Sequence, residues 1–324
     1  IPSLLAADAY AQVCQGGSKQ LARALFAAVE QTGGELICQA EPTRILTEGG
    51  RVVGVETSDG DQFLARRFVA SGLNPQQTFL DLIDPAELPA DWRRMASEYR
   101  YNLLAPLFGT YLNLSSPVRY AAAEQQPELN QALMVILGLE RPEQFMEIVQ
   151  HHQQGTIPPT VMWGSSPSVF DPCQAPAGQH TAFMWEKLPY HLHGDANSWD
   201  DAKGSHAERM IEAWQRYAPS LGDNILEVST RSPLDTSRQL SNMQDGDLLV
   251  GALTRNQMGY HRPFPGAGHY RGHLPGLYLC GASCHPGGNV TGLPGYNCAQ
   301  VLLADLEIKA DWLPAALVER LPSD

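Results

Sequence analysis

The chain has 324 residues, 43% of them hydrophobic, and its 35 acidic against 22 basic side chains give a formal net charge of -13. This length allows a sizeable core in two lobes or one large mixed domain. The acidic balance, without any basic cluster, argues against nucleic acid as a partner. No apolar run approaches the roughly 18 residues that cross a bilayer, so we expect a cytoplasmic protein with no transmembrane segment, and peripheral membrane contact stays open.

An amphipathic helix is predicted near the start of the chain, between residues 17 and 34. Apolar side chains recur at helical spacing on one face, at Leu21, Leu25, Ala28 and Val29. Ser18 is placed as the N-cap, and Gly33 with Gly34 ends the segment.

A small antiparallel meander is predicted after this helix. Alternating apolar runs at residues 36–38, 43–47, 52–57 and 63–70 are separated by turn residues at 48–50 and 59–60. This order of helix and strands is typical of the later part of an α/β nucleotide-binding domain, to which we assign residues 1–75.

Residues 76–274 have a different sequence pattern and are assigned to an inserted, substrate-binding lobe of mixed sheet and helices. Helical segments such as "SHAERMIEAWQRYAP" and strand segments such as "HTAFMWEKLPY" are joined by proline-rich loops. Residues 275–324 are predicted to return to the first domain, so the fold class is mixed α/β.

The return begins with a predicted strand, glycine-rich turn and helix. The strand covers residues 277–280, Gly281 opens the turn, and a helix is predicted from Val290 onward. Its packing residues are predicted as Val290, Ala299, Val301, Leu302 and Leu306. Glycines allow a ligand to approach the backbone, and the first turn of a helix offers unpaired N–H groups. A turn of this kind is equally common as plain scaffolding.

A nucleotide fingerprint of the form GxGxxG after a strand is absent. The nearest candidate, "GAGHYRG" from Gly266, has the wrong spacing and follows "RPFP" where a strand should stand. We predict a loop there.

The cysteines and histidines predict neither a disulfide framework nor a metal site. The six cysteines have no regular spacing, and they are Cys14, Cys38, Cys173, Cys280, Cys284 and Cys298. Two histidine pairs, at 151–152 and at 191 and 193, lack the further ligands that a tetrahedral site needs.

The stretch "LYLCGASCHPGGNVTGLPGYNCAQ" resembles the C-terminal FAD motif of the phytoene-desaturase-related flavoproteins, a branch that includes bacterial carotene ketolases and mitochondrial relatives. Two further stretches, "QGGSKQLARALFAAVEQTGG" and "MGYHRPFPGAGHYRGHLPGLYLCG", resemble other sections of the same family. The resemblance covers essentially the whole chain and implies an FAD-binding domain with an inserted substrate domain.

The resemblance also implies that a segment is missing. Members of this family begin with a βαβ unit whose glycine loop holds the FAD pyrophosphate. No such unit precedes Ile1, so a truncated or processed chain is expected, and whether this chain holds FAD alone stays open. The face left uncovered should be apolar, which predicts self-association or a partner chain.

Carried over by residue, the resemblance implies an FAD site on the glycine-rich turn. Gly281 and Ala282 would lie near the ribityl and phosphate portion of FAD. The residues beside the pyrimidine edge of the flavin would be Pro286, Gly287, Gly288, Asn289 and Val290. The family often has glycine where this chain has Asn289, so this position departs from the family's pattern.

Two other segments match cofactor-contacting sections of the family. Thr43 and Arg44 match a section on the adenine side, and the final strand of the FAD domain corresponds to Ala70, Ser71 and Gly72. For all five residues, maintenance of the fold is the alternative role.

His285 is the one weak candidate for a catalytic residue, as a proton relay beside the flavin, although it equally fits a turn-capping role. Cys280 and Cys284 are interpreted as ordinary buried thiols rather than a redox disulfide. The aromatic residues that would line an apolar tunnel are Trp163, Phe183, Trp185, Tyr190 and Tyr260, with core packing as the alternative.

The resemblance implies an FAD-dependent oxidoreductase of the desaturase, dehydrogenase or ketolase type, acting on a lipophilic substrate such as a carotenoid. Two alternatives remain open. The chain is either a catalytically silent substrate-binding or partner subunit that does not hold FAD alone, or part of an amine-oxidase-like flavoenzyme.

Overall fold

The computed structural model describes residues 14–309, which form two compact units. The five-stranded unit comprises residues 14–39 and 103–240, and the glycine-turn unit comprises residues 40–102 and 241–309. The domain bounds predicted from the sequence, 1–75, 76–274 and 275–324, remain a prediction. In the structure the chain passes from one unit to the other after residues 39, 102 and 240.

Helices and strands are both distributed along the chain, as expected for the mixed α/β class. In chain order they are α1 (Lys19–Gln31), β1 (Pro42–Glu48), β2 (Arg51–Thr57), β3 (Gln62–Leu64), β4 (Val69–Ser71), α2 (Ala90–Ser97), β5 (Leu107–Leu114), β6 (Val135–Leu137), α3 (Gln144–Gln154), β7 (Met162–Ser165), β8 (His180–Lys187), α4 (Ser198–Gln215), β9 (Ile225–Arg231), α5 (Pro233–Gln239), β10 (Leu277–Leu279) and α6 (Leu293–Asp305).

The predicted first helix is confirmed as α1, and the strand predicted just after it is wrong. Ser18 occupies the N-cap position without a capping side-chain hydrogen bond, and Gly33 ends the helical segment with a φ of 84°. Residues 36–38 are not in a strand, because no strand of the described chain pairs with them. A short apolar run alone does not make a strand when the backbone lacks a partner.

The predicted meander is confirmed as the antiparallel sheet β1-β2-β3. The single strand predicted over residues 63–70 is wrong. The last main-chain hydrogen bond to β2 is the one that Ala65 N–H donates to the Val53 carbonyl, and the chain bends at residues 66–67. Its second half is the separate strand β4, which pairs in parallel with β10. This parallel pair positions the glycine-rich turn.

The five-stranded unit is an antiparallel sheet in the order β6-β7-β8-β5-β9, with α4 packed against one face. Side chains of β8 alternate between the two faces: Ala182, Met184 and Glu186 are buried against the core, and the residues between them face the other way. Trp199 and Trp214 of α4 are fully buried in that core.

A polar pair lies inside this core. Glu186 Oε2 is 2.8 Å from His206 Nε2, and both side chains are buried. Arg209 donates to His206 Nδ1 at 3.2 Å, so Nε2 must carry the ring proton and donate to the carboxylate. Glu186 Oε1 is buried without a hydrogen-bond partner among the described residues.

Candidate functional site

The glycine turn, residues 280–292, starts where the two parallel strands of the glycine-turn unit end. Cys280 N–H donates to the Ser71 carbonyl at 2.9 Å, which continues the β4-β10 pairing into the turn. Ser71 Oγ is itself 2.7 Å from Thr78 Oγ1 in the interior. The carboxyl ends of both strands are therefore fixed next to each other, a position where α/β folds hold their ligands.

Gly281 makes the closest backbone contact of this site. A Cβ at this position would lie 2.1 Å from the Gly72 carbonyl oxygen, so no larger residue fits without movement of the main chain. The structure thus brings residues 70–72 and 281–282 together, as two halves of one surface. Their roles toward a cofactor remain predictions.

The turn ends in left-handed backbone, which corrects the predicted start of the last helix. Asn289 and Val290 have φ values of 74° and 57°, and Gly292 has 67°. Residues with these angles cannot belong to a right-handed helix, so α6 begins three residues later than predicted, at Leu293. Val290 is also 83% exposed, and its predicted packing role is wrong.

A buried polar network underlies the turn, and no motif in the sequence indicates it. Arg262 donates to the Ala282 carbonyl at 3.0 Å and also to carbonyls of the loop at residues 249–251. Asp247 accepts from the backbone N–H groups of Leu249 and Gly251, both at 2.8 Å. Nothing in the sequence pattern marked these residues, because a buried arginine is rare and arginine is ordinarily expected at the surface.

The remaining predicted residues of the turn differ in burial. Gly287, with a φ of 111°, is buried, whereas His285 and Pro286 are exposed. The His285 carbonyl accepts from the Tyr270 hydroxyl at 2.9 Å. That contact ties the main chain of the turn to the unit and leaves the role of the imidazole a prediction.

Cys280 and Cys284 are free thiols, as predicted. Burial raises the pKa of the Cys284 thiol to about 12, and it raises the pKa of the Cys280 thiol as well. Since the thiolate is the reactive form, both sulfurs should be inert at neutral pH.

Alkylation tests this prediction. At pH 8 a thiol with a pKa near 12 is ionised in about one molecule in 10,000, so iodoacetamide should leave Cys284 unmodified while it labels the exposed Cys38 and Cys173. Peptide mass spectrometry measures each site, and denatured protein is the control in which all three react. Labelling of native Cys284 as fast as Cys173 would contradict the buried, neutral thiol.

Thr43 and Arg44 lie in the other sheet of this unit, on β1. The Arg44 guanidinium contacts Glu56 of β2 at 3.1 Å, and Thr43 Oγ1 donates to the Glu56 carbonyl at 3.3 Å. Hydrogen bonds from Gln62 and then Arg44 hold the pKa of Glu56 below its usual value. Both side chains therefore have cross-strand partners, which favours the fold-maintaining role without excluding a backbone contact to a ligand.

The five-stranded unit carries its own candidate site on the sheet face opposite its core. Trp163 and Trp185 are opposite each other in β7 and β8 with ring centroids 6.3 Å apart, and Phe183 lies 4.6 Å from Trp185. Trp185 Nε1 donates to the Tyr111 hydroxyl at 3.1 Å. A cavity of about 580 Å³ is lined by Tyr111, Phe183 and Trp185 together with Leu133 and Met134.

Three of the five predicted tunnel aromatics thus converge, and two do not. Tyr190 packs against the core of the five-stranded unit and its hydroxyl is 2.9 Å from Ser237 Oγ. Tyr260 belongs to the glycine-turn unit and is 84% exposed.

Two other kinds of site are absent from the part of the chain that the structure describes. Between residues 14 and 309, no group of three or more His, Cys, Asp or Glu side chains is placed to hold a metal ion. Over the same residues, no helix has both the length and the apolar composition needed to cross a membrane.

Comparison with known proteins supports the resemblance. The chain is 27% identical over 301 residues to pyridine nucleotide-disulfide oxidoreductase domain-containing protein 2 of Rattus norvegicus, covering 90% of this chain and 51% of the relative. It is 27% identical to one of the subunits of limonene dehydrogenase from Castellaniella defragrans, covering 93% and 57%. It is also 25% identical to a lycopene-forming phytoene desaturase of a Paracoccus species, covering 90% and 55%. No known protein-family profile matches the chain.

The predicted resemblance to phytoene-desaturase-related oxidoreductases is therefore confirmed, and the chain spans about half the length of the relatives it matches. Among solved structures, cyclohexylamine oxidase of Brevibacterium oxydans matches with a TM-score of 0.53 at 11% identity, covering 90% of this chain and 53% of that one. At this identity the match concerns the fold alone.

Proposed function

We propose that this chain is part of an FAD-dependent oxidoreductase that acts on a lipophilic substrate such as a carotenoid, and that the glycine turn is its contribution to the FAD site. The observation that carries the proposal is the close backbone contact between Gly281 and Gly72 at the ends of two parallel strands. Limonene and phytoene, which appear in the names of two relatives, are apolar hydrocarbons.

The residues of the turn fit such a cofactor. Gly288 lacks a side chain where a ligand would come close to the backbone. A methyl group at Gly288 would meet only ordinary contacts, 3.6 Å from Ala282 Cβ and the Leu249 carbonyl, so packing within the unit does not require this glycine. A ligand that lies against the backbone at this position would require a glycine there.

FAD, when bound, supplies acceptance of a hydride from a substrate C–H bond. The residues of this chain would bind the flavin and orient the substrate. Backbone N–H groups of residues 287–290 would face the electron-rich edge of the flavin, and the aromatic face with Phe183 and Trp185 would hold an apolar substrate and exclude water. A reaction of this kind needs no acid-base triad.

A partner subunit without FAD of its own is the second candidate, and one surface favours it. The apolar face of α1 is exposed in the described chain, with Leu25 62%, Phe26 47% and Val29 48% exposed. An apolar face of this size is typical of a surface that another segment or another chain covers.

An absorption spectrum tests the proposal. Protein produced from its complete open reading frame, mixed with FAD and freed of excess, should show flavin bands at about 370 and about 450 nm. Anaerobic addition of a polyene or terpene hydrocarbon should bleach the longer-wavelength band. Bleaching by an amine alone would favour the amine-oxidase-like function, and a colourless protein would favour the partner subunit.

Gly288→Ala gives the matched test of the site. We expect FAD to bind about tenfold more weakly, since a methyl group occupies space that the ligand needs, while the thermal midpoint stays unchanged. Gly204→Ala is the control, because a Cβ there meets nothing within 4 Å in the exposed part of α4. Equal FAD affinity in Gly288→Ala and the parent, measured by titration of flavin fluorescence, would contradict this placement of the cofactor.

A further inference from the structure

Arg262 is the most unusual charged residue of the glycine-turn unit. Its side chain is 1% exposed, and it donates only to main-chain carbonyls, those of Leu249, Val250, Gly251, Gln257 and Ala282, at 3.0 to 3.4 Å. No carboxylate of the described residues lies within 4.0 Å of it. Its Nε is buried without an acceptor.

This arrangement leaves a buried positive charge without an acidic partner. A guanidinium stays protonated in proteins, so it cannot relieve burial by losing its proton. Carbonyl dipoles offset part of the desolvation cost, but buried charges are ordinarily paired. The buried Asp247 makes no ion pair with Arg262, and its oxygens accept instead from the backbone N–H groups of Asn102, Leu249 and Gly251.

The charge lies directly beneath the glycine turn. Arg262 holds the Ala282 carbonyl at 3.0 Å, and its Nε is 3.6 Å from the place where a Cβ of Gly287 would stand. The same guanidinium holds the loop at residues 249–251, in which Val250 has a φ of 51° and Gly251 a φ of 122°. Backbone of this kind persists only where its surroundings fix it.

We propose that Arg262 is a positioning residue of the glycine turn and that its buried charge favours an anionic ligand there. The identification of this ligand as the flavin of FAD rests on the proposed function. The unpaired cation then raises the affinity of the site for forms of the flavin that carry negative charge on the N1–C2 carbonyl edge.

Sulfite is the probe for this charge. It adds through sulfur to N5 of oxidised flavin; the N–S bond forms from the sulfite electron pair, and the negative charge moves to the N1–C2 carbonyl edge. Neither an oxidant nor a reductant is consumed. Loss of the band at about 450 nm gives the dissociation constant of sulfite without any turnover.

Three variants of the FAD-loaded protein separate charge from packing. Arg262→Met should weaken sulfite binding at least about tenfold, because the cation is removed. Arg262→Lys keeps the charge but loses the planar fork, so sulfite affinity should stay within about threefold while the thermal midpoint falls. Arg255→Met removes an exposed arginine of the preceding loop. This control should leave both the sulfite affinity and the thermal midpoint unchanged.

The outcomes discriminate between the two proposals. A yellow protein whose sulfite affinity is the same in the parent and in Arg262→Met overturns the role of Arg262 alone. If Arg262→Met does not fold, a tenfold loss of sulfite affinity in Arg262→Lys with FAD still bound overturns it equally. Protein that binds no FAD overturns the proposed function and this inference with it.

Discussion

Replacement of His206 by leucine is expected to lower the free energy of unfolding of the five-stranded unit by about 3 to 5 kcal/mol. The substitution removes the donor that lies 2.8 Å from Glu186 Oε2. The carboxylate would then be buried with no donor on either oxygen, because Oε1 has no partner even in the parent protein. Urea unfolding followed by tryptophan fluorescence measures the loss, since Trp199 and Trp214 are in the same core.

The double variant Glu186→Met with His206→Leu separates an orphaned charge from lost packing. Replacing both members of a buried polar pair with apolar residues of similar volume is often neutral, so most of the stability should return. The surface pair of Arg94 and Glu98, each 61% exposed, is the control. Arg94→Ala should cost less than about 0.5 kcal/mol. A single His206→Leu variant as stable as this control would show that the buried pair contributes nothing.

The features that the sequence predicted well depend on local chemistry. The segment HTAFMWEKLPY was predicted as a strand and contains β8, and turn glycines mark the ends of strands in the meander, whatever lies far away in the chain. The helix α1 follows equally from spacing and a terminal glycine. Its exposed apolar face shows that such a pattern predicts the element and not the partner that covers it.

The errors lie where a distant segment decides the outcome. Residues 36–38 are a short apolar run of the kind found in strands, but a strand needs a neighbour, and none in the described chain pairs with them. The run at residues 63–70 was split because its second half pairs with β10, more than two hundred residues later. Residue type alone gave no sign of the left-handed backbone at Val290, which delays α6, because β-branched residues rarely adopt it.

The candidate site divides in the same way. The glycine turn was visible because a ligand-approaching backbone needs glycine. Arg262 was not visible, because its five acceptors are main-chain carbonyls, which carry no residue signature. A network of this kind appears only when the loop at residues 249–251 and the turn are seen together.

Gly281→Ala is expected to cost about 2 to 3 kcal/mol of unfolding free energy in the glycine-turn unit and to reduce FAD affinity more than tenfold. The new methyl group would stand 2.1 Å from the Gly72 carbonyl oxygen and 2.7 Å from its carbon. Both are main-chain atoms, so relief requires the ends of β4 and β10 to move apart. The same movement separates the two halves of the proposed FAD surface.

Gly72→Ala is the matched control, because the two glycines face each other across one contact but differ in free space. A Cβ at Gly72 meets nothing within 4 Å. The free energy of unfolding of Gly72→Ala should therefore change by less than about 1 kcal/mol. Calorimetry of the two variants beside the parent measures both costs. Equal stability of Gly281→Ala and Gly72→Ala would mean that the ends of β4 and β10 move apart at little cost in free energy. In that case the close contact between β4 and β10 cannot be what positions the turn.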